Sequence, residues 1–211
     1  HLTRVKKTIN KLKTLIPLVI HGALPVALIH FQGDDGTALV FAIMFICMLF
    51  SAGLRLRYFA IAGGLAGLAA PFVYFFVLNE DQKARILYLF DLESNLQGIG
   101  YQQWMGRVAM ANGGIFGQGL FKGALTQSQG VPKGYNDFIF VCIGEELGIL
   151  GCIAVLLLLG AICFRCIRIA RLSQDDSGMY IAVGIFAMIF TQAIINIGMC
   201  TSLLPVIGIT L

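Results

Sequence analysis

Three carboxylates in the second half of the chain have the setting for chemistry. Asp137 stands in VPKGYNDFIF, where a glycine-rich stretch gives way to a long apolar run. A carboxylate at the edge of a low-dielectric region loses hydration and becomes a better proton acceptor. The same position, just before an apolar helix, also suits an N-cap, and position alone allows both roles. Glu145 and Glu146 lie about two turns further along. Ionisable groups inside a membrane span are costly and face a cavity or a partner. Neighbouring helical positions point roughly 100° apart. One of the pair is therefore expected to face an inner cavity and the other a structural partner such as an arginine or a backbone group, with a structural role for both as the alternative. Arg107, Lys122 and Lys133 are cations in the stretch before Asp137. They suit a diphosphate, and equally lipid head groups or plain solvation. Gln32, Asp34, Gly36 and Thr37 form a Q-x-D-x-G-T turn in which Asp34 or Thr37 could cap the following helix. Cys163 and Cys166 form a CxxC at the end of an apolar helix, where thiols behave as small hydrophobes. No Ser-His-Asp set, zinc spacing, P-loop or dinucleotide fingerprint occurs.

The elements that must position these residues are membrane spans. Of 211 residues, 58% are hydrophobic and 12% charged. A soluble domain has about 45–50% apolar and about 25% charged residues, so the excess apolar surface calls for lipid. The fold class expected is all-α, a polytopic transmembrane helix bundle with one long extracytoplasmic loop. Spans of roughly 20 apolar residues are expected over 14–31, 36–53, 58–78, 138–164 and 179–200, with a truncated one over 203–211. Gly63, Gly64 and Gly67 in the third would permit close helix contact. Arg4, Lys6, Lys7, Lys11, Lys13, Arg55, Arg57, Arg165, Arg168 and Arg171 are ten of the fifteen basic residues, and they fall in three short segments on one side. The positive-inside rule makes that side cytoplasmic and puts the loop over 79–137 outside. The net charge of +4 reflects this topology rather than nucleic-acid binding, since no basic patch with interleaved aromatics occurs. The loop is rich in glycine yet carries apolar and amphipathic pieces such as WMGRVAM (Trp104 to Met110), unlike a polar linker.

Six short segments, in order, carry a resemblance. They are QGDDGTAL (Gln32 to Leu39), RILYLFDLES (Arg85 to Ser94), GIGYQQ (Gly98 to Gln103), GGIFGQGLFKG (Gly113 to Gly123), DFIFVCIGEELGILG (Asp137 to Gly151) and NIGMCTSLLPVIGITL (Asn196 to Leu211). Together they resemble the RodA/FtsW/SpoVE, or SEDS, family of cell-wall glycan polymerases, and FGQGLFKG leans toward the RodA-like elongation branch over the division branch. The resemblance implies ten spans, of which this chain would supply about the fifth to the ninth as part of a longer membrane protein. It implies polymerisation of lipid II on the outer face of the bacterial inner membrane, in cell elongation or division. It also implies a class B penicillin-binding protein as partner, and it places the family's essential loop aspartate on Asp137. Gly33 stands where the family has a proline in QPD, and Tyr135-Asn136 replaces the usual His-Thr before the aspartate.

The expected reaction is an inverting glycosyl transfer with Asp137 as general base. Arg107, Lys122 and Lys133 would stabilise the lipid diphosphate leaving group, with no cofactor required and a divalent cation (Mg or Mn) as an option. Gln32, Asp34, Thr37, Glu145 and Glu146 are further candidates for substrate binding. Two rival functions fit parts of the same sequence: a lipid II flippase, on the strength of the intramembrane Glu145/Glu146 pair and the proline-broken first span, and a scaffold that only recruits the transpeptidase.

Overall fold

The computed structural model describes residues 2–87, 89, 99–128, 130–131, 134 and 136–211, and for residues 81 and 99 the backbone alone. Among them the chain is helical, with no strand. In order come α1 (Leu2–Val5), followed by the 3₁₀ turn Lys6–Thr8, then α2 (Leu12–Phe31), α3 (Asp35–Ser51), α4 (Leu56–Phe76), α5 (Glu80–Leu87), α6 (Ile99–Gly113), α7 (Ala124–Gln127), α8 (Ile139–Leu172) and α9 (Asp176–Cys200). Helices α2, α4, α8 and α9 are long and apolar enough to cross a bilayer, and α3 is a shorter apolar helix. Its 17 residues rise about 26 Å, close to the hydrocarbon thickness of about 30 Å. The chain is a polytopic helical membrane protein. Residues 203–211, expected to start a further span, are not helical in this structure.

The chain divides into two compact units. The first comprises His1–Val77 and Ala161–Thr191, and the second Leu78–Gly160 and Gln192–Leu211. In the first unit Ile9, Leu15, Leu18, Leu49, Ala52, Leu54 and Tyr180 form the apolar core. Helix α2 lies so close to α3 that a Cβ on Gly22 would fall 2.3 Å from the Phe45 ring. Asn10 ties down the α3–α4 turn: its Nδ2 donates to the Gly53 carbonyl (3.1 Å) and its Oδ1 accepts the Arg55 N–H (2.9 Å). Lys6 pairs with Asp176 at the start of α9, and the carboxylate raises the Lys6 pKa above its ordinary value. Helix α4 buries no residue. A Cβ on Gly63, Gly64 or Gly67 would meet nothing within 4 Å beyond the helix's own backbone, so the contact face they offer is not used among the described residues.

In the second unit the core is Ala109, Val131, Phe138, Phe140, Val141 and Cys200, with Met105, Met110 and Ile197 packed against it. Helix α8 is not continuous here. Gly148 has φ 68° and ψ −165°, a conformation essentially restricted to glycine, and the helix is broken there. A break inside a membrane span exposes carbonyls at the end of one half and N–H groups at the start of the next. Hydrocarbon supplies no partners for them. The glycine-rich stretch after α6 does. Gln118 and Gly119 donate their N–H groups to the carbonyls of Glu145 and Glu146 (3.0 and 2.9 Å), while Ile149 and Leu150 donate theirs to Gly114 and Ile115 (3.0 and 3.3 Å). The approach is too close for side chains, since a Cβ on Gly113 would lie 1.9 Å from the Gly144 oxygen. This gives GGIFGQG a physical reading as a backbone plug for a broken helix.

Candidate functional site

Asp137 lies in the second unit, two residues before α8 begins, and is 8% exposed. Phe138 next to it is fully buried in the core. The Val141 N–H, which a longer helix would give to the Asp137 carbonyl, goes to Phe138 instead (3.0 Å). The Asp137 carbonyl is taken by the Nδ2 of Asn196 on α9, at 2.8 Å. The same amide donates to the Ile209 carbonyl at 2.7 Å. Residues 204–209 pass in front of Asp137 as ordered, non-helical chain, because side chains rather than helix bonds take their carbonyls. Gln103 Nε2 holds Leu204 (2.8 Å), Arg85 Nη1 holds Val206 (2.8 Å) and Asn196 holds Ile209. Pro205 has no N–H to give a helix. Gly208, at φ 79°, faces the carboxylate: a Cβ there would lie 3.7 Å from Asp137 Oδ2.

Glu145 and Glu146 are buried, at 0% and 9% exposure. The expectation that one would face a cavity and the other a structural partner does not describe them. Both reach the same loop. Glu145 accepts the N–H groups of Leu125 (3.0 Å) and Thr126 (2.8 Å). Glu146 accepts the Phe121 N–H (3.0 Å) and the Gln127 side-chain amide (2.7 Å). Side chains 100° apart can share this partner because residues 121–127 wrap around the end of the short helix half and meet it on two faces. Their oxygens are engaged by protein donors, so the pair holds the loop in place.

Arg107 and Lys122 are exposed in the second unit and enter no ion pair among the described residues. Lys133 and the stretch 90–98 lie outside the described residues. Gln32, Asp34 and Thr37 belong to the first unit. There Asp34 caps α3, its Oδ1 accepting the Thr37 N–H at 2.9 Å, and that bond lowers the Asp34 pKa. Gln32 is exposed at the end of α2. Two apolar cavities in the first unit, of about 390 and 620 Å³, are lined by none of the residues expected in the site; His21 lines the smaller and Arg171 the larger. The six cysteines are free thiols.

Sequence reasoning missed Asn196 and Gln103 as site residues. Both are buried, at 0% and 2% exposure. For Asn196 the available signal was a primary amide within an apolar span, which is retained only where it finds partners; Gln103, in the mixed sequence of α6, gave none.

The chain resembles known proteins over nearly all its length. It is 33% identical to the peptidoglycan glycosyltransferase MrdB of Escherichia coli K12 over 188 residues, covering 89% of this chain and 51% of the relative. It is 36% identical to the probable peptidoglycan glycosyltransferase FtsW of Geobacter metallireducens, covering 92% of this chain and 51% of the relative. The corresponding Bacillus subtilis FtsW is 36% identical, with 92% of this chain and 50% of the relative covered. The chain thus spans about half the length of these relatives. Among solved structures, a chain reported under "Structural coordination of polymerization and crosslinking by a peptidoglycan synthase complex" shares the fold. Its TM-score is 0.80 at 23% identity, over 100% of this chain and 58% of that one. The family model FtsW/RodA/SpoVE, described as a cell cycle protein, matches residues 2–211, and the chain belongs to that family.

Proposed function

We propose that this chain is part of a peptidoglycan glycosyltransferase that polymerises lipid II on the outer face of the bacterial inner membrane. The observation that carries the proposal is the placement of Asp137: a carboxylate at the mouth of α8, 8% exposed, with its backbone carbonyl held by a buried amide. The names of the relatives at 33–36% identity support the reaction class. The three basic segments support an orientation with residues 79–137 outside. The fold shared with a chain of a peptidoglycan synthase complex supports a class B penicillin-binding protein as partner.

In this mechanism Asp137 takes the proton from the 4-hydroxyl of the acceptor sugar. The oxygen attacks the anomeric carbon of the donor glycan, the bond from that carbon to the diphosphate breaks, and the polyprenyl diphosphate leaves with inversion. Arg107, Lys122 and Lys133 meet the charge that develops on the leaving group. The transition state is oxocarbenium-like and needs little covalent help, so positioning dominates. Among the described residues no three His, Cys, Asp or Glu side chains converge. Mg²⁺ is commonly held by one or two carboxylates together with substrate phosphates, so a divalent cation on the diphosphate would add to the charge that Arg107, Lys122 and Lys133 supply. The flippase reading drew on the intramembrane Glu145 and Glu146, and their four carboxylate oxygens are accounted for by loop donors.

The test is Asp137→Asn in the full-length protein with purified lipid II, followed by strand-length analysis. Loss of glycan strands is expected. Undiminished strands would remove Asp137 from its role.

A further inference from the structure

We infer that Asn196 is a positioning residue for Asp137, holding the Asp137 backbone and the Gly208–Ile209 segment at a set distance from each other. The inference rests on the reading of Asp137 as general base. Asn196 is 0% exposed on α9. Its Nδ2 makes two contacts, at 2.8 and 2.7 Å, both with carbonyl oxygens, while its Oδ1 accepts from the Cys200 thiol at 3.7 Å. Two acceptors require the donor end of the amide, and one NH₂ supplies one hydrogen to each. The peptide on the C-terminal side of Asp137 is fixed in this way, and the buried Phe138 ring beyond it is fixed by packing. The Asp137 Cα–Cβ direction has little freedom left. The same amide holds Ile209, whose neighbour Gly208 faces the carboxylate, a Cβ there falling 3.7 Å from Oδ2. A single side chain thus sets the gap between the base and the chain in front of it. A buried amide in an apolar helix is costly unless both donors are used, and here both are used on the two sides of that gap.

The experiment uses the full-length protein, purified lipid II and four variants: Asn196→Ala, Asn196→Ser, Gly208→Ala and Asp137→Asn. It measures kcat, KM and thermal unfolding for each. Asn196→Ala is expected to lower kcat about 10- to 100-fold, the cost of a misplacement near 1 Å, with KM within about twofold. Asn196→Ser keeps one donor and falls between. Gly208→Ala puts a methyl in contact with Oδ2 and strains the backbone at φ 79°, so it shifts the held segment and loses kcat, read below its own unfolding temperature. A folded Asn196→Ala with wild-type kcat, or with raised KM alone, overturns the inference. If Asn196→Ala does not fold, wild-type kcat in Gly208→Ala overturns it. An active Asp137→Asn defeats the general-base reading itself. An inactive Asp137→Asn beside fully active Asn196 and Gly208 variants defeats the positioning role alone.

Discussion

Replacing Glu145 by alanine tests how the loop is held. The short helix α7 has Gly123 at its N-cap, which offers no side chain to its first N–H groups. Glu145 supplies the missing cap from another helix, one carboxylate oxygen to Leu125 and one to Thr126. Hydrogen bonds to a charged acceptor contribute about 1.5–3 kcal/mol each, so the pair holds residues 121–127 by about 3–6 kcal/mol. Removing it also strands two N–H groups, one of them buried. The loop can open locally without unfolding the spans, so the loss should appear there. A drop of about 3 kcal/mol is about two orders of magnitude in opening equilibrium. Amide hydrogen exchange of residues 118–127, in detergent or nanodiscs, reads it directly. Glu145→Gln keeps one acceptor but turns an NH₂ toward the other N–H, and should lose about half as much. Wild-type protection in Glu145→Ala would refute the capping argument, as would uniform loss across α8 and α9.

Gly148→Ala should destabilise the second unit by several kcal/mol, because the new Cβ would lie 2.5 Å from the Gly117 nitrogen at φ 68°; a melting temperature within about 1 °C of wild type counts against the broken-helix description. Asp34→Ala should cost about 1 kcal/mol of α3 stability at neutral pH. The Thr37 N–H lowers the Asp34 pKa, so the cap is fully present above the ordinary carboxylate value of about 3.9 and is lost as pH falls through the lower folded value. The gap between wild type and Asp34→Ala in denaturation should therefore close in acid, and a gap that widens there contradicts the assignment. Asp137→Asn should abolish strand formation, read by strand-length analysis in the full-length protein, while keeping the Asn196 bond, which goes to the backbone.

Much of this was legible because lipid imposes a simple rule: a span must be long, apolar and closed in its own hydrogen bonds. The runs over 14–31, 36–53, 58–78 and 179–200 correspond to α2, α3, α4 and α9 within a few residues. The cap at Asp34 was readable from residue type and spacing alone. What escaped depends on partners distant in sequence. Gly148 sits inside an apolar run, and nothing local says that residues 114–119 will complete the hydrogen bonds of a broken helix. Glu145 and Glu146 need part ways only where each partner is narrow, whereas a folded loop offers donors on two faces. Residues 203–211 are apolar enough to suggest a span, but Gln103, Arg85 and Asn196 take their carbonyls, and hydropathy carries no trace of that.

The interruption at Gly148 also bears on how the chain is assembled. The part of α8 beyond it, about 24 residues and roughly 36 Å, can partition into the bilayer unaided, while the part before it, about 9 residues and roughly 13 Å, cannot. A translocon would therefore release one true crossing with a short polar-ended stub attached. Residues 113–119 emerge from the ribosome before that stub and wait for it. Docking is then a second stage after insertion, in which residues 113–119 and the stub come together.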